Sequence, residues 1–275
     1  MMDYEKYLRI QKFPLIWCPG CGDGIALKAI LRAIDRIGLD RNEICMVSGI
    51  GCSSRTSGYV DVNTLHTTHG RALTFATGVK MARPEMTVIV VTGDGDATAI
   101  GGNHFIHAAR RNIDITVILY NNWIYGMTGG QASPATPAGA RASTAPYGAI
   151  EPNFDIAALA AGAGASFVAR ETVAKPLALD KLIERAIRKK GFSLVEAMVP
   201  CPTTYGRRNK AGDGAAMTKY LKDHSVSAAK AATLPPEKLP EAIVTGVFVD
   251  TEKPEYAEQY ARLVARLSDE AKTAG

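Results

Sequence analysis

Residues 87–96 read Thr-Val-Ile-Val-Val-Thr-Gly-Asp-Gly-Asp, and residues 115–122 read Ile-Thr-Val-Ile-Leu-Tyr-Asn-Asn. Each is a short apolar run that breaks into small or polar residues. A run apolar at successive positions marks a strand buried on both faces. The segment between them, about 99–111, has helical periodicity. Strand, helix and strand in that order form a parallel crossover unit, in which both polar ends emerge at the same edge of the sheet.

The pattern extends in both directions from this unit. Ile25, Leu27, Ile30, Leu31, Ile34 and Ile37 recur at helical spacing, and Gly38 ends that helix. Residues 44–50 give another buried strand, and a helix is expected over 70–82, before Pro84. Downstream, 157–161 and 177–189 read as helices, and 166–169 and 193–197 as strands. The sequence therefore predicts an α/β fold, a parallel sheet with helices on both faces that ends near residue 200. Residues 202–235 show no clear strand. Residues 254–273 read as a charged amphipathic helix. We expect a cofactor-binding domain over 1–201 and a C-terminal extension over 202–275 that contacts a partner.

The formal net charge is +5, with the basic residues spread along the chain rather than gathered in an arm. That pattern excludes a nucleic-acid-binding tail. The start of the chain has no charged-then-apolar leader, and no apolar run is long enough to cross a bilayer. A cytoplasmic protein is expected, with no membrane or nucleic-acid partner. An odd number of cysteines (Cys18, Cys21, Cys45, Cys52 and Cys201) in such a chain argues for metal or redox use over a disulfide framework.

The Gly93-Asp94-Gly95-Asp96 turn suits a bound diphosphate. Its glycines let backbone approach phosphate oxygens, and the following helix start offers unpaired N–H donors. An aspartate beside a diphosphate requires a cation, and magnesium accepts oxygen ligands shared between protein and phosphate. Asp94, the Asn122 amide and the Ile124 carbonyl are the candidate ligands. A Gly-Asp-Gly turn alone is a weak signal. Its pairing with Asn121-Asn122 one crossover later is much more specific.

Trp17-Cys18-Pro19-Gly20-Cys21-Gly22 is a Cys-x-x-Cys turn, Cys52 follows the first strand and Cys201 follows the last. Four thiolates on loops suit a [4Fe–4S] cluster or zinc. One close pair joined by two distant single cysteines favours the cluster, with zinc and a thioredoxin-like redox pair as alternatives. Cys45, inside an apolar strand, reads as an inert buried thiol.

With both sites read, the chain resembles the β subunits of 2-oxoacid:ferredoxin oxidoreductases over roughly residues 14–210. The resemblance rests on Trp17–Gly22, Gly49–Ser54, His66-Thr-Thr-His-Gly-Arg71, Thr92–Asp96 and Tyr120–Gln131. It implies Cys18, Cys21, Cys52 and Cys201 as ligands of one [4Fe–4S] cluster, and Asp94, Asn122 and Ile124 on magnesium. It implies Ile50, Gly51, Cys52, Ser53, His69, Gly95, Asp96, Gly126 and Met127 around thiamine diphosphate. His69 and Arg71 are the expected catalytic side chains. His104 and His107, three apart on one helix, read as packing residues.

Where several members of this family carry Thr-Lys-Gly-Gln, this chain has Thr128-Gly129-Gly130-Gln131. That version is similar to the β subunits acting on 2-oxoglutarate. The resemblance therefore implies oxidative decarboxylation of 2-oxoglutarate with coenzyme A to succinyl-CoA and CO2, with reduction of ferredoxin. The alternatives are pyruvate or a branched-chain 2-oxoacid as substrate, or a non-oxidative decarboxylase subunit with structural zinc. A non-catalytic nucleotide-binding module with a zinc staple would leave the Gly-Asp-Gly and Asn-Asn pairing unexplained. Thiamine activation needs a carboxylate beside the pyrimidine. Glu43 and Glu85 precede strands, and Glu196 is expected just past one, on the cysteine side. The resemblance thus implies an α subunit that supplies the glutamate, with γ and small ferredoxin-like subunits or free ferredoxin carrying electrons onward.

Overall fold

The computed structural model describes residues 2–273. Its sheet has eight strands: β1 (Ile44–Ser48), β2 (Asn63–His66), β3 (Thr87–Gly93), β4 (Thr116–Asn121), β5 (Phe167–Thr172), β6 (Ser193–Met198), β7 (Ser225–Ser227) and β8 (Ile243–Asp250). Their order is β2-β1-β3-β4-β6-β5-β8-β7. The pairs from β2 through β5 are parallel, and β8 runs antiparallel to β5. The main helices are α1 (Asp23–Ile37), α2 (Ala72–Ala82), α3 (Gly102–Arg110), α4 (Ile156–Ala163), α5 (Pro176–Arg188), α6 (Gly214–Asp223) and α7 (Tyr256–Thr273).

Strand alternation explains the two cores. Met46, Ile89, Val91, Ile118 and Val195 face one side, under α1 and α5. Val47, Val88, Val90, Val117 and Leu194 face the other, under α2, α3 and α4. Arg32 and Arg36 of α1 both reach the buried Asp180 of α5, at 2.6 and 3.1 Å. α1 stops where expected, with Gly38 in the left-handed conformation at its C-cap.

Three sequence expectations need correction. The sheet does not end near residue 200, because β7 and β8 from the C-terminal segment extend its edge. β2 was not anticipated. It is a largely exposed edge strand, Asn-Thr-Leu-His, without the apolar run that marks its neighbours. Glu196 lies inside β6 instead of past its end. It is buried there, accepts from Asn121 Nδ2 at 2.8 Å and pairs with Arg170 Nε at 2.7 Å.

This topology sets the position of the site. The chain leaves β1 toward β2, then crosses back so that β3 lies on the other side of β1. The loops leaving β1 and β3 diverge, which opens a crevice at the carboxyl ends of the strands. Among the described residues, no helix is long and apolar enough to cross a membrane.

Candidate active site

Four loops converge on the crevice, and Asp96 ties three of them together. Its Oδ2 accepts from Thr92 Oγ1 at 2.8 Å, at the end of β3. Its Oδ1 accepts from Ile50 N at 3.3 Å, after β1, and from Gly70 N at 2.7 Å, after β2. His69 Nδ1 lies 2.5 Å from the same oxygen. Gly49 must be glycine for this arrangement, since a Cβ there would lie 2.0 Å from Asp96 Oδ2. After Asp96 the chain makes a wide π turn, Asp96–Ile100, before α3 begins. Such turns are frequent at functional sites.

The fourth loop follows β4. Tyr125 lies against Gly95, where a Cβ would be 2.4 Å from its ring, and its hydroxyl donates to Gly95 O at 3.0 Å. Trp123 has φ +64, a conformation costly for a residue with a bulky side chain. The Asn121 and Asn122 carboxamides support this turn by accepting from Trp123 N at 3.1 Å and Ile124 N at 3.2 Å.

These loops enclose a cavity of about 130 Å³. Its lining includes every expected thiamine contact, namely Ile50, Gly51, Cys52, Ser53, His69, Gly95, Asp96, Gly126 and Met127. It also includes the three expected magnesium ligands, Asp94, Asn122 and Ile124. Arg71 is not in the lining. It is exposed at the start of α2, with its guanidinium against His104 of α3. The expected catalytic pair is therefore split, because Gly70 turns the chain between His69 and Arg71. The packing role expected for His104 and His107 is also corrected, since the first is half-buried and the second exposed.

Asp94 is buried, and burial lifts its pKa to about 7 against the lowering effect of Ser133, whose hydroxyl donates to Oδ2 at 2.5 Å. A nearby cation would restore the charged form. Ser133 was missed in the sequence because it sits in a long loop without periodicity. Tyr120, Tyr125 and Thr128 line the cavity as well. They lie inside a motif already singled out, but no role was assigned to them.

The four cysteines of the expected cluster line a second cavity of about 270 Å³. The two cavities share Cys52, Asn122, Gly126 and Met127. A Cβ on Gly126 would lie 3.4 Å from Cys201 Sγ and 3.5 Å from Cys52 Sγ, which places this glycine against the thiols of the second cavity. Among the described residues, no three His, Cys, Asp or Glu side chains converge tightly enough for a single ion. Burial pushes the Cys52 thiol up to about 12, and it raises Cys21 as well. Asp23, next to these cysteines, is fully buried, and burial lifts its pKa to about 7 against the lowering effect of the neighbouring Cys21. Thiolates in this setting need positive charge beside them. Cys45 lies apart, buried in the second core, as expected.

Comparison with known proteins agrees with this geometry. Residues 49–197 match the family described as thiamine pyrophosphate enzyme, C-terminal TPP binding domain. The chain is 51% identical over 265 residues to the 2-oxoglutarate synthase subunit KorB of Methanocaldococcus jannaschii, covering 96% of this chain and 98% of that one. It is 54% identical over 222 residues to the protein of the same name from Archaeoglobus fulgidus, covering 81% of each. Among solved structures it resembles the 2-oxoglutarate:ferredoxin oxidoreductase of Magnetococcus marinus with 2-oxoglutarate, coenzyme A and succinyl-CoA bound. The TM-score is 0.87 at 34% identity, over 97% of this chain and 91% of that one.

Proposed function

The chain belongs to the β subunits of the 2-oxoacid:ferredoxin oxidoreductases, and on that premise we propose that, with an α subunit, it decarboxylates 2-oxoglutarate oxidatively. The products are succinyl-CoA, CO2 and reduced ferredoxin. The observation that carries this reading is the junction at Gly126, where a diphosphate-type cavity and a four-cysteine cavity share a wall.

The donor sets fit the implied cofactors. Asp94, the Asn122 amide and the Ile124 carbonyl would hold magnesium, with Ser133 orienting the Asp94 carboxylate. Cys18, Cys21, Cys52 and Cys201 would hold a [4Fe–4S] cluster. Their common place in the lining of one cavity fits such a cluster, and iron, sulfide and zinc contents distinguish it from a zinc site. When bound, thiamine diphosphate would stabilise the negative charge left by decarboxylation, and the cluster would accept electrons singly. The protein's own contribution is to fix geometry. Asp96 locks the loops after β1, β2 and β3, and holds His69 through Nδ1 in the cavity lining. Gly95 admits the Tyr125 ring against the turn.

Asp94 and Asp96 are the carboxylates in the cavity lining, and among the described residues no glutamate joins them. One is assigned to magnesium and the other is used by the loops. The carboxylate that activates the pyrimidine is therefore assigned to the α subunit. Residues 202–275 are assigned a partner-contacting role. α7 buries only Ala257 and exposes Tyr256, Tyr260, Val264 and Leu267 along one side. Smaller ferredoxin-like subunits or ferredoxin would take the electrons onward. Thiols kept reduced suit a cytoplasmic setting.

The test is anaerobic co-purification with the native partners, followed by iron, sulfide, zinc and thiamine analysis and a viologen-reduction assay. About four irons and one thiamine diphosphate per β chain, with 2-oxoglutarate-dependent dye reduction, is the expected result. One zinc without sulfide would overturn the electron-transfer reading and leave a non-oxidative decarboxylase.

A further inference from the structure

A dicarboxylic 2-oxoacid brings two negative charges to the cavity. One leaves as CO2, and the other stays at the far end of the chain. A cation would suit that distal carboxylate, and among this chain's described residues no lysine or arginine lines the cofactor cavity, which leaves the residues next to the lining or the α subunit to supply it. His69 is committed through Nδ1 to Asp96.

A guanidinium lies against the residues that directly follow the lining. Arg208 Nη2 donates to Gly129 O at 3.1 Å, immediately after Thr128, which lines the cavity. The side chain lies across Gly130, where a Cβ would be 3.0 Å from Arg208 Nε and 3.4 Å from Thr204 Cβ. Gly129 and Gly130 have φ +115 and +89, so the turn itself demands glycine and leaves room for the guanidinium.

The placement is fixed from both sides. Gly130 N donates to Tyr125 O at 2.8 Å, and Ser143 N donates to Gly130 O at 2.7 Å. Next to Arg208, Asn209 clamps its own turn to the 141 loop. Its Nδ2 donates to Arg141 O at 3.0 Å, and its Oδ1 accepts from Arg141 N at 2.7 Å. Arg208 forms no ion pair among the described residues and is exposed. Its one hydrogen bond leaves the rest of the fork for a carboxylate.

We propose that Arg208, held across the Gly129–Gly130 turn next to the cavity-lining Thr128, binds the distal carboxylate of the 2-oxoacid and selects dicarboxylic over monocarboxylic substrates. The inference rests on 2-oxoglutarate being the substrate. It explains why the loop can lack a lysine at position 129, since the cation comes from the segment after Cys201.

The experiment compares wild type, Arg208→Gln and Arg208→Lys in the complete complex with 2-oxoglutarate and with 2-oxobutyrate, which lacks the distal carboxylate. Loss of the charged fork is expected to raise KM for 2-oxoglutarate by about 10–100-fold. The change in kcat should be small, and kcat/KM for 2-oxobutyrate should stay within about 2-fold. Lysine should restore part of the loss, because it keeps the charge without the fork. Thiamine and iron contents like those of the wild type confirm that the variants are assembled. Equal losses on both acids would overturn the assignment, as would no loss on either, or a raised KM for coenzyme A alone. A wild-type enzyme that prefers 2-oxobutyrate would overturn the substrate reading itself. That result appears in the unmutated arm, so the two failures are distinguishable.

Discussion

Asp96 and Gly49 should be energetically coupled, and the coupling can be measured. Asp96 accepts from Thr92, Ile50 and Gly70, with His69 at 2.5 Å. The side chain is buried. A hydrogen bond to a charged acceptor contributes about 1.5–3 kcal/mol, and a buried donor left without a partner costs about 1–3 kcal/mol. Asp96→Ala strips several donors at once, although the Thr92 hydroxyl can rotate and His69 is partly exposed. A loss of about 3–5 kcal/mol is expected. Gly49→Ala acts on the same contact from the other side. Gly49 is not in the left-handed region, so the damage is steric, from a Cβ 2.0 Å from Asp96 Oδ2. The carboxylate must move, and its hydrogen bonds weaken; about 2–4 kcal/mol is expected.

The double variant separates this account from general fragility. With alanine at 96 the clash no longer exists, so the new methyl at 49 should cost little. The Gly49→Ala/Asp96→Ala pair should be less destabilised than the sum of the single variants by at least about 1.5 kcal/mol. The assay is urea unfolding of the chain followed by circular dichroism, with thiamine diphosphate titrated into the assembled complex in parallel. Affinity should fall in both single variants, because the loops after β1, β2 and β3 lose their common anchor. Additivity within about 0.5 kcal/mol would refute the claim that this carboxylate organises the crevice.

Two further predictions address charge and redox tuning. Thr204 Oγ1 lies 2.8 Å from Cys201 Sγ, and toward a thiolate the hydroxyl must be the donor. Thr204→Val should therefore lower the midpoint potential of a cluster held there and Thr204→Ser should not, as read by redox titration; an unchanged potential in the valine variant would show that the hydroxyl does not tune the sulfur. Asp114 pairs with the buried Lys80 at 2.8 Å and accepts from Gly191 N at 3.0 Å. Burial pushes its pKa up, but Lys80, Gly191 N–H and Lys190 together hold it below the ordinary 3.8. A depressed carboxyl stabilises the fold fully above its ordinary value and loses that contribution as pH falls through the folded value. Asp114→Asn, which leaves Lys80 buried beside a neutral partner, should thus cost about 3 kcal/mol at neutral pH. That deficit should shrink below pH 3.8 in urea titrations, and a deficit independent of pH would contradict the pairing.

The legible part of the site is the part built from backbone geometry and short-range chemistry. Gly93-Asp94-Gly95-Asp96 and Asn121-Asn122 sit at strand ends, and the positions of the strand ends follow from apolar runs that stop. What could not be read arrives from loops without a period. Ser133 reaches Asp94 from the stretch between β4 and α4, and Arg208 reaches Gly129 from beyond the last cysteine. β2 escaped because an edge strand has little to bury, and β8 because Gly246 at φ +117 interrupts its pattern. Arg71 misled because its place beside His69 in the chain suggested a shared direction, whereas the Gly70 turn sends the two side chains to different surfaces.

The same geometry explains why this chain would carry two cofactor sites yet remain incomplete. Cys18, Cys21, Cys52 and Cys201 would hold an acceptor that takes electrons singly, and such an acceptor would need to lie close to the thiamine site. Gly126 belongs to the lining of both cavities, together with Cys52, Asn122 and Met127, and a Cβ there would touch the Cys201 and Cys52 sulfurs. Placing Cys52 on the loop after β1 puts one of the proposed cluster ligands in the lining of both cavities. The cost is crowding, since this edge must already accommodate magnesium ligands, phosphate-facing backbone and four thiols. A further carboxylate beside Asp94 and Asp96 would add like charge to a buried site where burial already lifts Asp94 to about 7. Supplying the proposed activating glutamate from a second subunit would keep that extra charge off this chain's buried carboxylates. On this argument the division of the site between two chains follows from electrostatics, and a glutamate engineered into the Asp94 side of the cavity should fail to replace the partner's.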